Sequence, residues 1–155
     1  MQKKMTVFLA SSQEQYDKRI VSVLKDLLSN SGREIRTWEN VALPGEHFLA
    51  ALERAAKVCD AAIFVFGDDD LLRSRGTSNP ATRDNVILEY GLFLGSLSRS
   101  RFFILRERGV IVPSDLLGIQ RVDYNVQSVD LRDELESCAA KISRMLNELG
   151  PRDES

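Results

Sequence analysis

One carboxylate stands in an otherwise apolar stretch. In RDNVILEYGLFLGSL, residues 83–97, Glu89 is set among Val86, Ile87, Leu88, Tyr90, Leu92, Phe93 and Leu94. An ionised carboxylate without partners is costly to bury, so such a residue is either paired, neutralised or kept for chemistry. Asn85 precedes it by one helical turn and shares its face, which suits it to orient the carboxylate or simply to begin the helix. Arg83 and Asp84 open the same helix, Asp84 as a cap or a ligand contact. Further candidates lie upstream. Ser11 and Ser12 can offer hydroxyls to a phosphate or ribose oxygen, or cap the helix that follows them. Trp38 can stack on a planar ring or pack in the core. In the run Asp68 to Asp70, Asp69 can meet sugar hydroxyls or sit in a solvated turn, and Arg75 can pair with a diphosphate or be an ordinary surface charge.

Other chemistries are excluded by what the chain lacks. His47 is the only histidine and Cys59 and Cys138 the only cysteines, too few for most catalytic triads, a zinc site or a disulfide framework. His47 is assigned a loop or helix-start role, and both thiols are expected to be free. The formal net charge is −2, with both signs interspersed, so nothing favours a nucleic-acid backbone or an acidic membrane. No apolar run approaches the about 18 residues of a membrane span, and MQKKMTVFLA is too short in its apolar part for a secretory signal. The expectation is a cytoplasmic protein. With 155 residues, 43% of them hydrophobic and 28% charged, the chain matches one domain, its core about residues 5–149 and a polar tail at 150–155.

The elements that must position these side chains alternate. TVFLA reads as a strand and YDKRIVSVLKDLLSNSG as a helix, with Ile20, Val23, Leu24, Leu27 and Leu28 at helical spacing before Gly32. EIRTW reads as a second strand ending on Trp38, ENVALPGEH as a loop, FLAALERAAKVC as a helix and DAAIFVFG as the most apolar strand. DDDLLRSRGTSNPAT is read as a polar flexible segment, RDNVILEYGLFLGSLSRS as a helix and RFFILRE as a strand. PSDLLG is a turn, IQRVDYN a weak strand and SVDLRDELESCAAKISRMLNELG a long amphipathic helix. Five strands alternating with helices imply right-handed crossovers and a five-stranded, mostly parallel sheet with helices on both faces. The fold class is therefore α/β, doubly wound in flavodoxin-like order. Ligands of such sheets bind beyond the carboxyl ends of the strands, where strand order reverses. That places the candidates above around one edge.

FLASS, TWENVALPGEHFLAALERAAKVCDAAIFVFGDDDLLRSRG, RDNVILEYGLFLGSLSRSRFFIL and VPSDLLG together resemble the bacterial TIR-like domains of anti-phage signalling effectors. The resemblance runs from about Thr6 to Leu117, and RDNVILEYGLFLG is its most specific part. In that family the domain is commonly fused to a cyclic-nucleotide sensor, such as a STING or cyclic-nucleotide-binding module. The chain ends soon after its last helix, so the expectation is an excised domain or a sensor carried on a separate protein.

The resemblance implies an NAD+ glycohydrolase that cleaves the nicotinamide–ribose bond, with Glu89 as catalytic residue; Ser11, Ser12, Trp38, Asp69, Arg75, Arg83 and Asn85, read from their types and places, are the candidates to bind its substrate. NAD+ would be consumed, with no cofactor and no metal. It also implies completion by a neighbouring copy in a homo-oligomer, the corresponding loop here being ENVALPGEHF. Two other functions remain open: a non-catalytic TIR scaffold, and a nucleoside deoxyribosyltransferase-like enzyme, which also uses a glutamate in a doubly wound fold. Hydride-transfer use of NAD is disfavoured by the absence of a G-x-G-x-x-G fingerprint.

Overall fold

The computed structural model describes residues 3–11, 19–29, 32–41, 43–67, 70–74, 77–81, 84–111, 118–125 and 128–153, with backbone alone for residues 48, 70–74, 77–81 and 84–89. Five strands form the central sheet: β1 (Thr6–Ala10), β2 (Glu34–Arg36), β3 (Ala61–Phe66), β6 (Phe102–Glu107) and β7 (Gln120–Tyr124). Their order is β2-β1-β3-β6-β7, and all four pairings are parallel. The chain passes from β1 outward to β2, then returns across β1 to β3. Strand order therefore reverses between β1 and β3.

Alternation along the strands divides the core in two. Val7 and Leu9 of β1, with Ala61, Ile63 and Val65 of β3, face one layer. Phe8 and Ala10, with Ala62, Phe64 and Phe66, face the other. The first layer is closed by α1 (Ile20–Ser29) and α5 (Leu131–Leu149), whose stripes Ile20, Val21, Leu24, Leu28 and Leu135, Cys138, Ala139, Ile142, Leu146 are buried. The second is closed by α2 (Trp38–Val41), α3 (Phe48–Val58) and α4 (Asp84–Ser96), which contribute Val41, Leu52, Ala55, Ala56, Tyr90 and Phe93. Each large apolar side chain fully buried in this way stabilises the fold by about 1.5–3 kcal/mol.

Two sequence expectations are corrected. Trp38 does not end the second strand: β2 stops at Arg36, and Trp38 is the first residue of α2. The reason is local, because Asn40 Oδ1 accepts hydrogen bonds from Thr37 N at 3.0 Å and Thr37 Oγ1 at 3.1 Å and turns the chain into a short helix. The polar segment after β3 is not unstructured either. It holds β4 (Asp70–Ser74) and β5 (Thr77–Ala81), an antiparallel pair separate from the main sheet. The turn expected at PSDLLG lies, up to Leu117, outside the described residues. Among the described residues no helix is long and apolar enough to cross a membrane.

Candidate active site

The carboxyl ends of β1, β2 and β3 lie along one edge of the sheet, and two of the candidate residues, Ser11 and Trp38, follow the first two of these strands. Ser11 directly follows β1 and is half-buried. Trp38 follows β2, the strand next to β1, and packs half-buried against the aromatic core layer. Both packing and an accessible ring face are thus compatible with its position. Ser12, Asp69, Arg75 and Arg83 lie outside the described residues.

Asn85 and Glu89 are in the first two turns of α4. The helix is fixed on the sheet by its aromatic stripe. The Tyr90 ring centroid is 5.3 Å from that of Phe64 and 6.1 Å from that of Phe66, the last residue of β3. One turn later Phe93 stacks on Phe8 at 4.6 Å. A crossover helix runs back along the sheet, so the turns before Tyr90 extend toward the carboxyl edge. The backbone of Asn85 and Glu89 is therefore held at the edge where strand order reverses. What carries this placement is packing, since α4 is apolar nearly all round and its buried face is selected by Phe8, Phe64 and Phe102.

Tyr90, beside Glu89 in sequence, was not singled out from the sequence as a polar group. It is 2% exposed and its hydroxyl makes no hydrogen bond among the described residues. Burial pushes its phenol up to about 12.

The loop before α3 is pinned rather than loose. Leu43–Glu46 is a turn closed by Glu46 N donating to Leu43 O at 3.0 Å, with Gly45 at φ 74°, a left-handed conformation that glycine adopts freely. Arg54 of α3 grips it with a fork: Nη2 donates to Glu46 Oε2 at 2.7 Å and Nε to Oε1 at 3.3 Å, while Nη2 also donates to Val41 O at 2.6 Å. The hydrogen bond from Arg54 holds the Glu46 carboxyl below the usual carboxylate range. An acid eight residues before an arginine carries no periodic signature, so the sequence did not reveal this clamp. His47 caps α3, its Nδ1 accepting from Leu49 N at 3.3 Å. That is the helix-start role expected of it.

Cys59 and Cys138 are free and buried. Desolvation raises their thiols to about 12 and about 11, the wrong direction for a nucleophile. Among the described residues no group of histidine, cysteine, aspartate and glutamate is arranged to hold a metal ion.

Comparison with known proteins now adds identity to geometry. The family described as "CAP12/Pycsar effector protein, TIR domain" matches residues 6–126. The Pycsar effector protein PaPycTIR of Pseudomonas aeruginosa is 33% identical over 138 residues, covering 86% of this chain and 45% of that protein. CD-NTase-associated protein 12 of Flavobacterium daejeonense is 36% identical over 155 residues, covering 95% of this chain and 49% of that protein. The chain thus spans about half the length of these curated relatives. In fold it is similar to a prokaryotic SEFIR domain (TM-score 0.57, 15% identity, 98% of this chain and all of the other). It is also similar to a flavodoxin-like domain from Synechococcus (TM-score 0.55, 13% identity, 92% of this chain and 99% of the other). Identities this low speak for the fold alone, and they agree with the five-stranded flavodoxin-like sheet. The extent of the family match and the identity of these relatives establish that the chain belongs to the TIR domains of the CAP12/Pycsar effector family.

Proposed function

We propose that this TIR domain is an NAD+ glycohydrolase, the effector part of a bacterial anti-phage system driven by cyclic-nucleotide signalling, with Glu89 as its catalytic carboxylate. The observation that carries the reading is the position of Glu89 on the second turn of α4, at the carboxyl edge where strand order reverses, in a chain of an effector family.

The chemistry asks for little equipment. Nicotinamide departs as a neutral molecule from a pyridinium cation, so its leaving needs no general acid. The ribose then carries oxocarbenium character, which an adjacent anion stabilises strongly where water is excluded. One carboxylate, oriented by Asn85, can serve. Ser11, Ser12, Asp69, Arg75 and Arg83 are assigned to ribose and diphosphate contacts, and Trp38 to stacking on a base. NAD+ is substrate rather than cofactor.

Self-assembly completes the site in this reading. Leu43 is 56% exposed at the start of the pinned turn, an apolar side chain that a neighbouring copy can cover. A cyclic-nucleotide sensor, fused or separate, would bring copies together.

The test is NAD+ consumption, followed by chromatography on artificially clustered protein. Wild type is expected to cleave NAD+, and Glu89→Gln, shown folded by circular dichroism, to lose at least about a hundredfold in rate. Near wild-type turnover in that variant would remove Glu89 from the mechanism. A wild-type protein that leaves NAD+ intact when clustered would indicate a scaffold, and base exchange on deoxynucleosides would indicate a transferase.

A further inference from the structure

At the amino edge of the sheet, the pole opposite Glu89, a cavity of about 290 Å³ lies between the entries to β1 and β2 and the end of α5. Its polar walls are Lys3, Lys4, Arg33 and Asn147, and among the described residues no carboxylate lines it. Arg33 is 4% exposed. Every acceptor it engages among the described residues is neutral: Nη1 donates to Leu28 O at 3.4 Å and Ser143 Oγ at 3.1 Å, and Nη2 to Ser143 O at 2.9 Å and Asn147 Oδ1 at 2.6 Å.

A buried guanidinium normally has an anionic partner, because hydrogen bonds to neutral groups leave its charge uncompensated. The carbonyl end of α1 at Leu28 offsets part of that charge. Desolvation still holds Arg33 below the usual arginine range. The nearby Asp60 does not supply the balance. Its oxygens accept from Thr6 N and Arg152 N, both at 2.8 Å, and it faces Lys3 at 3.5 Å. Among the described residues Lys4 and Arg33 are left without a counter-charge. With Oδ1 turned to Arg33, Asn147 has only Nδ2 donors to offer, so the cavity presents donors and positive charge.

We propose that this cavity is a binding site for a small phosphate-bearing anion, held directly by Lys3, Lys4 and the Asn147 amide, with Arg33 as the fixed charge behind them. Lysine ammonium groups bind phosphate as point charges, and a dianion answers two uncompensated cations better than a single carboxylate does. The size is at the small end of ligand pockets, enough for inorganic phosphate or a mononucleotide phosphate rather than a dinucleotide. The site is independent of the NAD+ reading, because no residue of it belongs to the carboxyl edge.

The experiment is thermal unfolding and titration calorimetry of the whole chain near neutral pH. Inorganic phosphate, AMP and adenosine are compared with chloride at matched ionic strength. Phosphate and AMP should raise the melting temperature and adenosine should not. A clear preference for AMP identifies a nucleotide phosphate as the source, and equal binding identifies free phosphate. Lys4→Glu should weaken binding by about tenfold or more while the ligand-free melting temperature does not fall below wild type. Asn147→Asp should keep the acceptor for Arg33, add the missing charge, raise ligand-free stability and abolish the phosphate effect. The proposal is overturned if phosphate and chloride act alike, or if Lys4→Glu and Asn147→Asp both respond to phosphate as wild type does.

Discussion

Tyr90 and the two thiols show how single residues answer to burial in this fold. The Tyr90 ring belongs to the packing of Phe64, Phe66 and Phe102, whereas its hydroxyl is desolvated without a partner among the described residues. Phenylalanine keeps the ring and removes the unsatisfied group. Tyr90→Phe is therefore expected to raise stability by about 1 kcal/mol, or about 2–4 °C in melting temperature. A fall in melting temperature would mean that the hydroxyl is bonded in solution. Cys59 and Cys138 titrate from 9.0 when unfolded to about 12 and about 11 when folded. Well below pH 9.0 both states hold these protons and stability does not depend on them. As pH rises from there toward the folded values, only the unfolded chain releases protons, so stability falls. Urea unfolding at about pH 10 should show a lower midpoint than at about pH 8, with a smaller difference in Cys59→Ala.

At the scale of elements, the fork from Arg54 sets the shape of the turn before α3. Arg54 is exposed and Glu46 half-buried, so the contact contributes little to global stability. Its effect is positional, since it fixes Leu43 and Gly45 relative to α3. Arg54→Ala should leave the melting temperature close to wild type and lower the NAD+ cleavage of clustered protein by about tenfold or more. Arg54→Lys should restore little, because one ammonium cannot reproduce a two-pronged grip. The pH sign follows from the lowered Glu46 carboxyl. The clamp is complete above the ordinary carboxylate range and is lost as pH falls through the lowered folded value. A variant with unaltered kinetics in the clustered state would detach this turn from catalysis.

For the molecule as a whole, the proposed division is by pole: carboxyl edge for NAD+, amino edge for phosphate. If the turn at Gly45 covers a neighbour's substrate, loop and carboxylate act from different copies. Activity should then rise more steeply than in proportion to protein concentration. Gly45→Val disrupts the loop, since a β-branched residue does not adopt φ 74° without strain. Mixed with Glu89→Gln, each inactive alone, it should recover part of the cleavage in a head-to-tail assembly. Absence of recovery at every ratio, with co-assembly confirmed by sedimentation, would place loop and carboxylate in one copy.

The amino-acid sequence by itself determined the succession of elements and the doubly wound sheet, because apolar periodicity in α1, α3 and α5 and the runs TVFLA, AAIFVF and FFIL are local signals. It also isolated Glu89, a lone charge in an apolar helix. It could not show the β4–β5 pair, which is polar, contains Pro80 and is joined through the main chain. Nor could it show that Trp38 opens a helix, a choice made by a few hydrogen bonds around Asn40. Arg33 reads in sequence as one more surface charge. Only the tertiary structure buried it, because its acceptors Ser143 and Asn147 lie 110 and 114 residues away along the chain, brought within reach by the packing of α5 on α1.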